Sequence, residues 1–228
     1  MSSHETDSRD NFQLERLILF SDAVFAIALT LLVIEIKVPA LHGEEATDPG
    51  LLSALGHLVP KFLGFFLSFF VIGLYWTRHH GLFRFVARAT PRLLWINLLF
   101  LLSVVLMPFS TGIFGEYSTP STLHLKMPLI VYVLNIAFIG AMNFWMWNYI
   151  GAPSNGVATD EIDPMMVRQA KTRAILVPCV FLLAIPVAFL NPIAARYVPI
   201  LIPLVMRAFR RWTGGPGLGA VGPASGRE

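Results

Sequence analysis

An acidic side chain inside an apolar run is the feature of this sequence most able to do chemistry. Asp22 lies in the segment RLILFSDAVFAIALTLLVIEIKVP, residues 16–39, eight residues after the apolar run begins at Leu14. At the rise of an α-helix, eight residues span about 12 Å, which places the carboxylate well inside a hydrocarbon core of roughly 30 Å. Burying an acid there costs on the order of 2.5 to 3.5 kcal/mol. Asp22 therefore needs a polar partner or a water-filled cavity.

The same segment carries an apolar stripe on a different helical face. At about 100° per residue, Ile27, Leu31 and Ile34 align along one face, and Thr30 borders them. Asp22 points about 140° away from that stripe, so the acid and the stripe face different surroundings. Such a stripe usually faces lipid or the core of a helix bundle, and the spacing alone leaves that interpretation open.

Composition identifies the environment of these residues as a membrane. Of the 228 residues, 55% are hydrophobic and 14% are charged, whereas an average soluble domain has roughly a quarter charged residues. Runs of about 20 apolar residues, long enough to cross a bilayer, recur along nearly the whole chain. The sequence predicts an all-α integral membrane protein with six transmembrane helices, at residues 14–38, 51–77, 93–113, 127–150, 172–190 and 193–209.

The distribution of positive charge predicts the orientation of these six spans. Thirteen of the 17 Lys and Arg residues fall on the side of the two termini, and four fall on the other side. The positive-inside rule therefore predicts a multi-pass protein of the cell (inner) membrane with both termini in the cytoplasm. We expect a polar N-terminus at 1–13, a six-helix domain at 14–211 and a disordered tail at 212–228.

Topology also suggests which side chains lie near the membrane level of Asp22. The candidates are polar or aromatic residues at the cytoplasmic ends of spans one, two and three: Arg16, Trp76, His79, His80, Trp95 and Asn97. Trp76 and His79 are three residues apart and share a helical face. The adjacent His79 and His80 are a weak metal signal, because neighbouring side chains on a helix do not converge.

The first span resembles the prokaryotic branch of the transmembrane protein 175 potassium channel family, the relatives of the endolysosomal potassium channel. The match begins at Arg16, and its hallmark is the Phe20-Ser21-Asp22 run. It continues through Ala23-Val24-Phe25-Ala26-Ile27-Ala28, Thr30-Leu31-Leu32 and Ile36-Lys37-Val38-Pro39. Outside the first span, the resemblance covers the six-span layout and only scattered residues.

The resemblance implies a potassium-permeable homotetramer in which the first helix of each subunit lines a central pore. Carried onto this sequence, it implies that Ile27, Leu31 and Ile34 form hydrophobic rings that gate or constrict the pore, with Thr30 as a hydroxyl layer. It further implies that Arg16 and the Phe20-Ser21-Asp22 run are structural, packing behind the pore helix against later spans. No carbonyl selectivity filter is implied, and the sequence has no Thr-Val-Gly-Tyr-Gly run.

Other functions find less support in the residues. No Gly-rich phosphate loop, nucleophile motif or metal-ligand cluster is present, so we expect neither an enzyme nor a cofactor or metal site. The net charge of +3 is explained by positive residues in the loops between spans, and it does not indicate a nucleic-acid partner. The expected partners are lipid, further copies of the chain, potassium and other monovalent cations. A proton-coupled transporter using Asp22 and His79 or His80 is the alternative hypothesis, and an accessory scaffold is a third. Polar residues collect toward the predicted cytoplasmic end while the centre of span one stays apolar, which favours a pore.

Overall fold

The computed structural model describes residues 3–213, most of which form helices. Ten α-helices follow one another along this part of the chain: α1 (Ser3–Ile34), α2 (Asp48–His57), α3 (Val59–Phe83), α4 (Pro91–Val105), α5 (Met107–Glu116), α6 (Met127–Ile150), α7 (Pro164–Leu182), α8 (Ala184–Leu190), α9 (Pro192–Ala195) and α10 (Ile202–Thr213). Three short 3₁₀ segments lie between them, at Gly43–Glu45, Pro153–Asn155 and Val198–Leu201.

Five helical stretches of the described chain are long and apolar enough to cross a membrane. They are Phe12–Ile34, Val59–Phe83, Pro91–Glu116, Met127–Ile150 and Pro164–Leu190. Each overlaps one of the first five predicted spans, although the second begins later and ends later than predicted. The last two turns of α3 therefore contain His79 and His80, which the sequence pattern placed near the end of a shorter span.

Proline divides two of these spans into two helices each. A proline has no N–H to donate to the carbonyl four residues earlier, and its ring crowds that carbonyl. Pro108 lies just after the junction of α4 and α5, and Pro186 just after the junction of α7 and α8. The helical path continues through both junctions, since Ser110 N donates to Leu106 O at 3.1 Å and Leu183 N donates to Cys179 O at 3.1 Å.

The predicted sixth span is wrong as a continuous helix. Residues 193–209 fall on α9, the Val198–Leu201 turn and α10, none of which reaches the length of a span. Pro192, Pro199 and Pro203 recur too closely for one unbroken helix to form. The prediction that both termini share one side of the membrane therefore requires this broken segment to cross as well. Most of the predicted tail, residues 214–228, lies outside the described residues, and residues 3–13 of the predicted N-terminus belong to α1.

The core of the subunit surrounds α6. This helix packs against α4, α5 and α7, while α1 packs against α3, α4 and α5. Large side chains such as Phe100, Tyr132 and Phe181 are completely or almost completely buried between these helices. Gly140 lets α7 approach α6 closely, because a Cβ at Gly140 would overlap the ring of Pro178 and lie 3.0 Å from the Ala174 carbonyl oxygen.

Candidate functional site

Helix α1 has one buried face and one exposed face within the subunit. The buried face consists of residues spaced three or four apart: Leu17, Ser21, Phe25, Ala28 and Leu32. On the other side, Ile27 is 56% exposed, Leu31 36% and Ile34 66%. The exposed side chain of Thr30 borders them, and its hydroxyl donates to the Ile27 carbonyl oxygen at 2.8 Å. The predicted stripe is therefore left uncovered by its own chain.

Asp22 bonds to one of its predicted partners, Trp76. The indole Nε1–H of Trp76 donates to Asp22 Oδ1 at 2.9 Å and so joins α1 to α3. A hydrogen bond to a carboxylate is among the stronger kinds, because the acceptor is charged. His80, four residues after Trp76, lies beside its indole, with the ring centroids 6.2 Å apart and the rings tilted by 37°.

A second hydrogen-bonded chain runs through the buried side of the same region. Asn97 Nδ2 donates to Ser21 Oγ at 2.9 Å, and Asn97 Oδ1 is 2.8 Å from His79 Nε2. Because an amide oxygen can only accept, His79 donates from Nε2. Ser21 in turn donates to the Leu17 carbonyl oxygen at 2.8 Å. Three helices, α1, α3 and α4, are thus joined by one buried polar chain.

The aromatic surroundings hold the His79 ring in place. His79 is 1% exposed and stacks on Phe100 with ring centroids 5.3 Å apart and an angle of 6°. The rings of Phe83 and Phe25 also pack against it, with centroids 4.6 Å and 5.5 Å from the centroid of the His79 ring. With its Nε2 bonded to Asn97, this histidine belongs to the packed interior, and the described hydrogen bonds of Asp22 do not include it.

Three other predicted site residues take different positions. Arg16 lies over the ring of Phe12 at 5.7 Å, and Trp95 is 68% exposed. Phe20 is 50% exposed, so within one subunit it does not pack behind α1 as the resemblance implied for the Phe-Ser-Asp run. The difference follows from helical geometry, because Phe20 is seven residues before Ile27 and lies about 20° from it on the exposed face.

A further polar chain was not predicted. Thr111 Oγ1 donates to Ser68 Oγ at 2.7 Å, and Ser68 is 3.0 Å from the Tyr132 hydroxyl, which joins α3, α5 and α6. The spacing of Ser68 and His79 is a signal that could have found it. The two residues are eleven apart, just over three full turns, so they lie on the same face of α3. Among the described residues, no group of three or more His, Cys, Asp and Glu side chains could hold a metal ion.

Comparison with known proteins matches this same region. The family described as "Endosomal/lysosomal potassium channel TMEM175" matches residues 16–108, which run from Arg16 to Pro108 and contain Ser21, Asp22, Trp76, His79 and Asn97. Over these residues the chain is similar to the TMEM175 family. Both polar chains that contact α1 therefore lie inside the part of the sequence that matches this family.

Relatives in the family extend from bacteria to animals. A potassium channel from Streptomyces collinus is 45% identical over 98 residues, which are 43% of this chain and 46% of the relative. The endosomal/lysosomal proton channel TMEM175 of Bos taurus is 39% identical over 108 residues, 46% of this chain and 22% of that protein. The chain spans about half the length of the bacterial relatives it matches.

A solved structure in the family matches the whole bundle. The crystal structure of a lysosomal potassium-selective channel TMEM175 homolog from Chamaesiphon minutus superimposes with a TM-score of 0.69 and 29% identity. The match covers 89% of this chain and 99% of that one. The likeness in fold therefore includes the helices after residue 108, which lie beyond the family match.

The buried Ser21–Asn97–His79 chain makes a first prediction, for stability. Asn97→Leu should lower the free energy of unfolding by about 1 to 3 kcal/mol, because the His79 N–H is left buried without an acceptor. The measurement is the melting temperature of the purified protein in detergent. Asn148→Leu is the control, since Asn148 is exposed and its side-chain oxygen accepts from Lys171 Nζ at 2.8 Å. For this variant we expect a change within about 0.5 kcal/mol. Equal losses in the two variants would contradict a structural role for the buried chain.

Proposed function

We propose that this chain is the subunit of a potassium-permeable cation channel, a homotetramer in which α1 surrounds the central axis. The uncovered apolar stripe of α1 is the observation that carries the proposal. The relative from Streptomyces collinus is named a potassium channel, and the matching crystal structure from Chamaesiphon minutus is of a potassium-selective channel. Both names support this activity. These relatives are named as channels rather than enzymes.

The exposed face of α1 suits contact with other copies of the chain. Ala23 and Ala26 are exposed beside Ile27, and such small side chains let helices approach closely. The exposed face of α3 is different, because it presents large aromatic side chains such as Phe66, 52% exposed, and Phe70, 70% exposed. We infer that the aromatic face of α3 meets lipid and that the α1 stripe faces the shared axis.

Four copies of the stripe would form apolar rings along that axis. Rings at Ile27, Leu31 and Ile34 would constrict the path and could close it by dewetting. Thr30 uses its hydroxyl hydrogen on the Ile27 carbonyl oxygen, so the lone pairs of Oγ1 remain free to accept and could contact a partly dehydrated potassium or other monovalent cation. Since α1 is continuous to Ile34, its carbonyls are engaged in helical bonds, which favours a pore without a carbonyl filter.

The proton-coupled transporter is the weaker hypothesis. A relay would need Asp22 to exchange a proton with His79 or His80, yet Asp22 bonds to Trp76 while His79 bonds to Asn97. The two groups belong to separate hydrogen-bonded chains. The animal relative is named a proton channel, so protons are a second permeant ion for the flux experiment to test.

Reconstitution tests the proposal directly. Purified protein in liposomes should conduct potassium down its gradient, and planar-bilayer currents under opposed potassium and sodium gradients should give the ion preference. Native mass spectrometry should give four subunits. Absence of ion flux, a monomer, or potassium uptake driven uphill by an imposed proton gradient would each contradict the channel. We further propose that the protein resides in the cell membrane with both termini in the cytoplasm, residues 192–213 crossing as a broken path.

A further inference from the structure

A basic cavity lies on the side of α3 that faces away from α1. Its volume is about 290 Å³, and it is bounded by the last turns of α3 and the facing turns of α6 and α7. Three arginines line it, Arg78, Arg84 and Arg173, and Asn143 and Gln169 add amide groups. No carboxylate is among the described residues that line it. The cavity therefore concentrates positive charge inside an apolar bundle.

The polar groups without partners in this cavity are all donors. Both terminal nitrogens of Arg78 are buried and have no hydrogen-bond partner, and the same holds for Nδ2 of Asn143, whose side chain is 1% exposed. The face of the Tyr75 ring, 5.8 Å from the Arg78 guanidinium, compensates only part of the charge. An arginine stays charged in proteins, so burying it unpaired is expensive. The unpartnered donors of Arg78 and Asn143 require acceptors, and the positive charge of the cavity favours an anion.

We propose that this cavity binds a phosphate group, either of a lipid headgroup or of a free phosphate compound. Phosphate offers several acceptor oxygens at once, and a planar guanidinium matches their geometry with two parallel hydrogen bonds. Its oxygens would accept from both terminal nitrogens of Arg78 and from Asn143. The cavity is near the lower end of the range for small-ligand sites, about 300 to 1,000 Å³, which suits a headgroup-sized anion.

The position of Arg84 gives this site an entrance. Arg84 follows the last residue of α3, is exposed, and lies over the ring of Phe85 at 5.3 Å. Its exposed guanidinium adds positive charge at the mouth of the cavity, while the buried guanidinium nitrogens of Arg78 lie deeper. The site is separate from the proposed pore, because Arg78 is two residues after Trp76 and so points about 200° around α3 from the contact with Asp22.

Melting temperatures of the full chain in dodecyl maltoside test this proposal. The probes are dioctanoyl phosphatidic acid against dioctanoyl phosphatidylcholine, and sodium phosphate against sodium chloride at equal ionic strength. We expect phosphatidic acid to raise the melting temperature more than phosphatidylcholine does. A matching rise with sodium phosphate would identify a free-anion site, and a rise with phosphatidic acid alone would identify a headgroup site; both support the proposal.

Two exposed arginines four residues apart provide the matched variants. Arg84→Gln should raise the concentration of phosphatidic acid needed for half the effect at least about tenfold, because one charge-assisted hydrogen bond is lost. Arg88→Gln removes the same charge outside the cavity and should leave that concentration unchanged. Arg78→Gln should abolish the response; should it fail to fold, the Arg84 and Arg88 pair decides. Equal responses to the two lipids and to the two salts, or equal midpoints in Arg84→Gln and Arg88→Gln, would overturn the proposal.

Discussion

Replacing Ile27 with asparagine is expected to raise potassium flux through the reconstituted protein on the order of tenfold. Ile27 is 56% exposed on the stripe of α1, so four copies would place an apolar ring across the axis. An amide at that ring would hydrogen-bond water and oppose dewetting. Lowering the barrier by about 1.4 kcal/mol is sufficient for a tenfold gain in rate. Potassium flux into liposomes, measured at equal protein density, provides the comparison, and Leu31→Asn should act in the same direction.

The same substitution at Val33 is the control for this experiment. Val33 is also on α1 and is 53% exposed, but it is six positions after Ile27, so it points about 120° away. Val33→Asn should leave the flux close to that of the unmodified protein. A pore lined by another helix would instead give unchanged flux in Ile27→Asn and Leu31→Asn, and equal increases in all three variants would indicate general disruption of the bundle.

The largest loss of stability is expected for Gly140→Ala. The added methyl group would overlap the ring of Pro178, which is rigid and part of α7, and would crowd the Ala174 carbonyl oxygen. Neither group can rotate away, so α6 and α7 would have to separate. Overpacking of this kind costs about 1 to 3 kcal/mol and sometimes more. We expect a clear fall in melting temperature in detergent, together with a smaller yield of folded protein.

Gly73→Ala supplies the matched control. Gly73 lies inside α3, and a Cβ there would meet no described atom within 4 Å other than the adjacent residues and backbone of α3 itself. Because alanine favours the helix by about 1 kcal/mol over glycine, Gly73→Ala should leave the melting temperature unchanged or raise it. A fall as large as that of Gly140→Ala would show that glycine-to-alanine changes harm this bundle in general rather than through the contact with Pro178.

Hydropathy predicted the spans well and their continuity less well. The run at 127–150 coincides with α6 to the residue, because its ends are sharp changes from polar to apolar sequence. The run at 193–209 is just as apolar, yet its prolines divide it into short helices. A hydropathy average over a window of residues reflects the free energy of transfer from water to lipid. It is insensitive to the loss of the single backbone hydrogen bonds that each proline removes.

The candidate site was predictable as far as it depends on the geometry of single helices. The separation of Asp22 from the stripe of Ile27, Leu31 and Ile34 follows from helical rotation alone, and the two do lie on different sides of α1. The set of residues near Asp22 contained Trp76, His79 and Asn97, and all three take part in the two hydrogen-bonded chains. Their pairing was left open by the sequence, because it depends on how far α3 is rotated relative to α1. The roles of the stripe and of Thr30 in conduction remain predictions.

The sequence by itself determined that this is a helical membrane protein, where most of its spans lie, and which face of α1 is apolar. Those properties are local, since each depends on residues within one turn or one span. Only the tertiary structure decided that Trp76 bonds to Asp22, that His79 joins Asn97, and that Arg78 and Arg173 meet across one cavity. Those contacts join residues far apart in the chain, and their geometry depends on the packing of several helices at once.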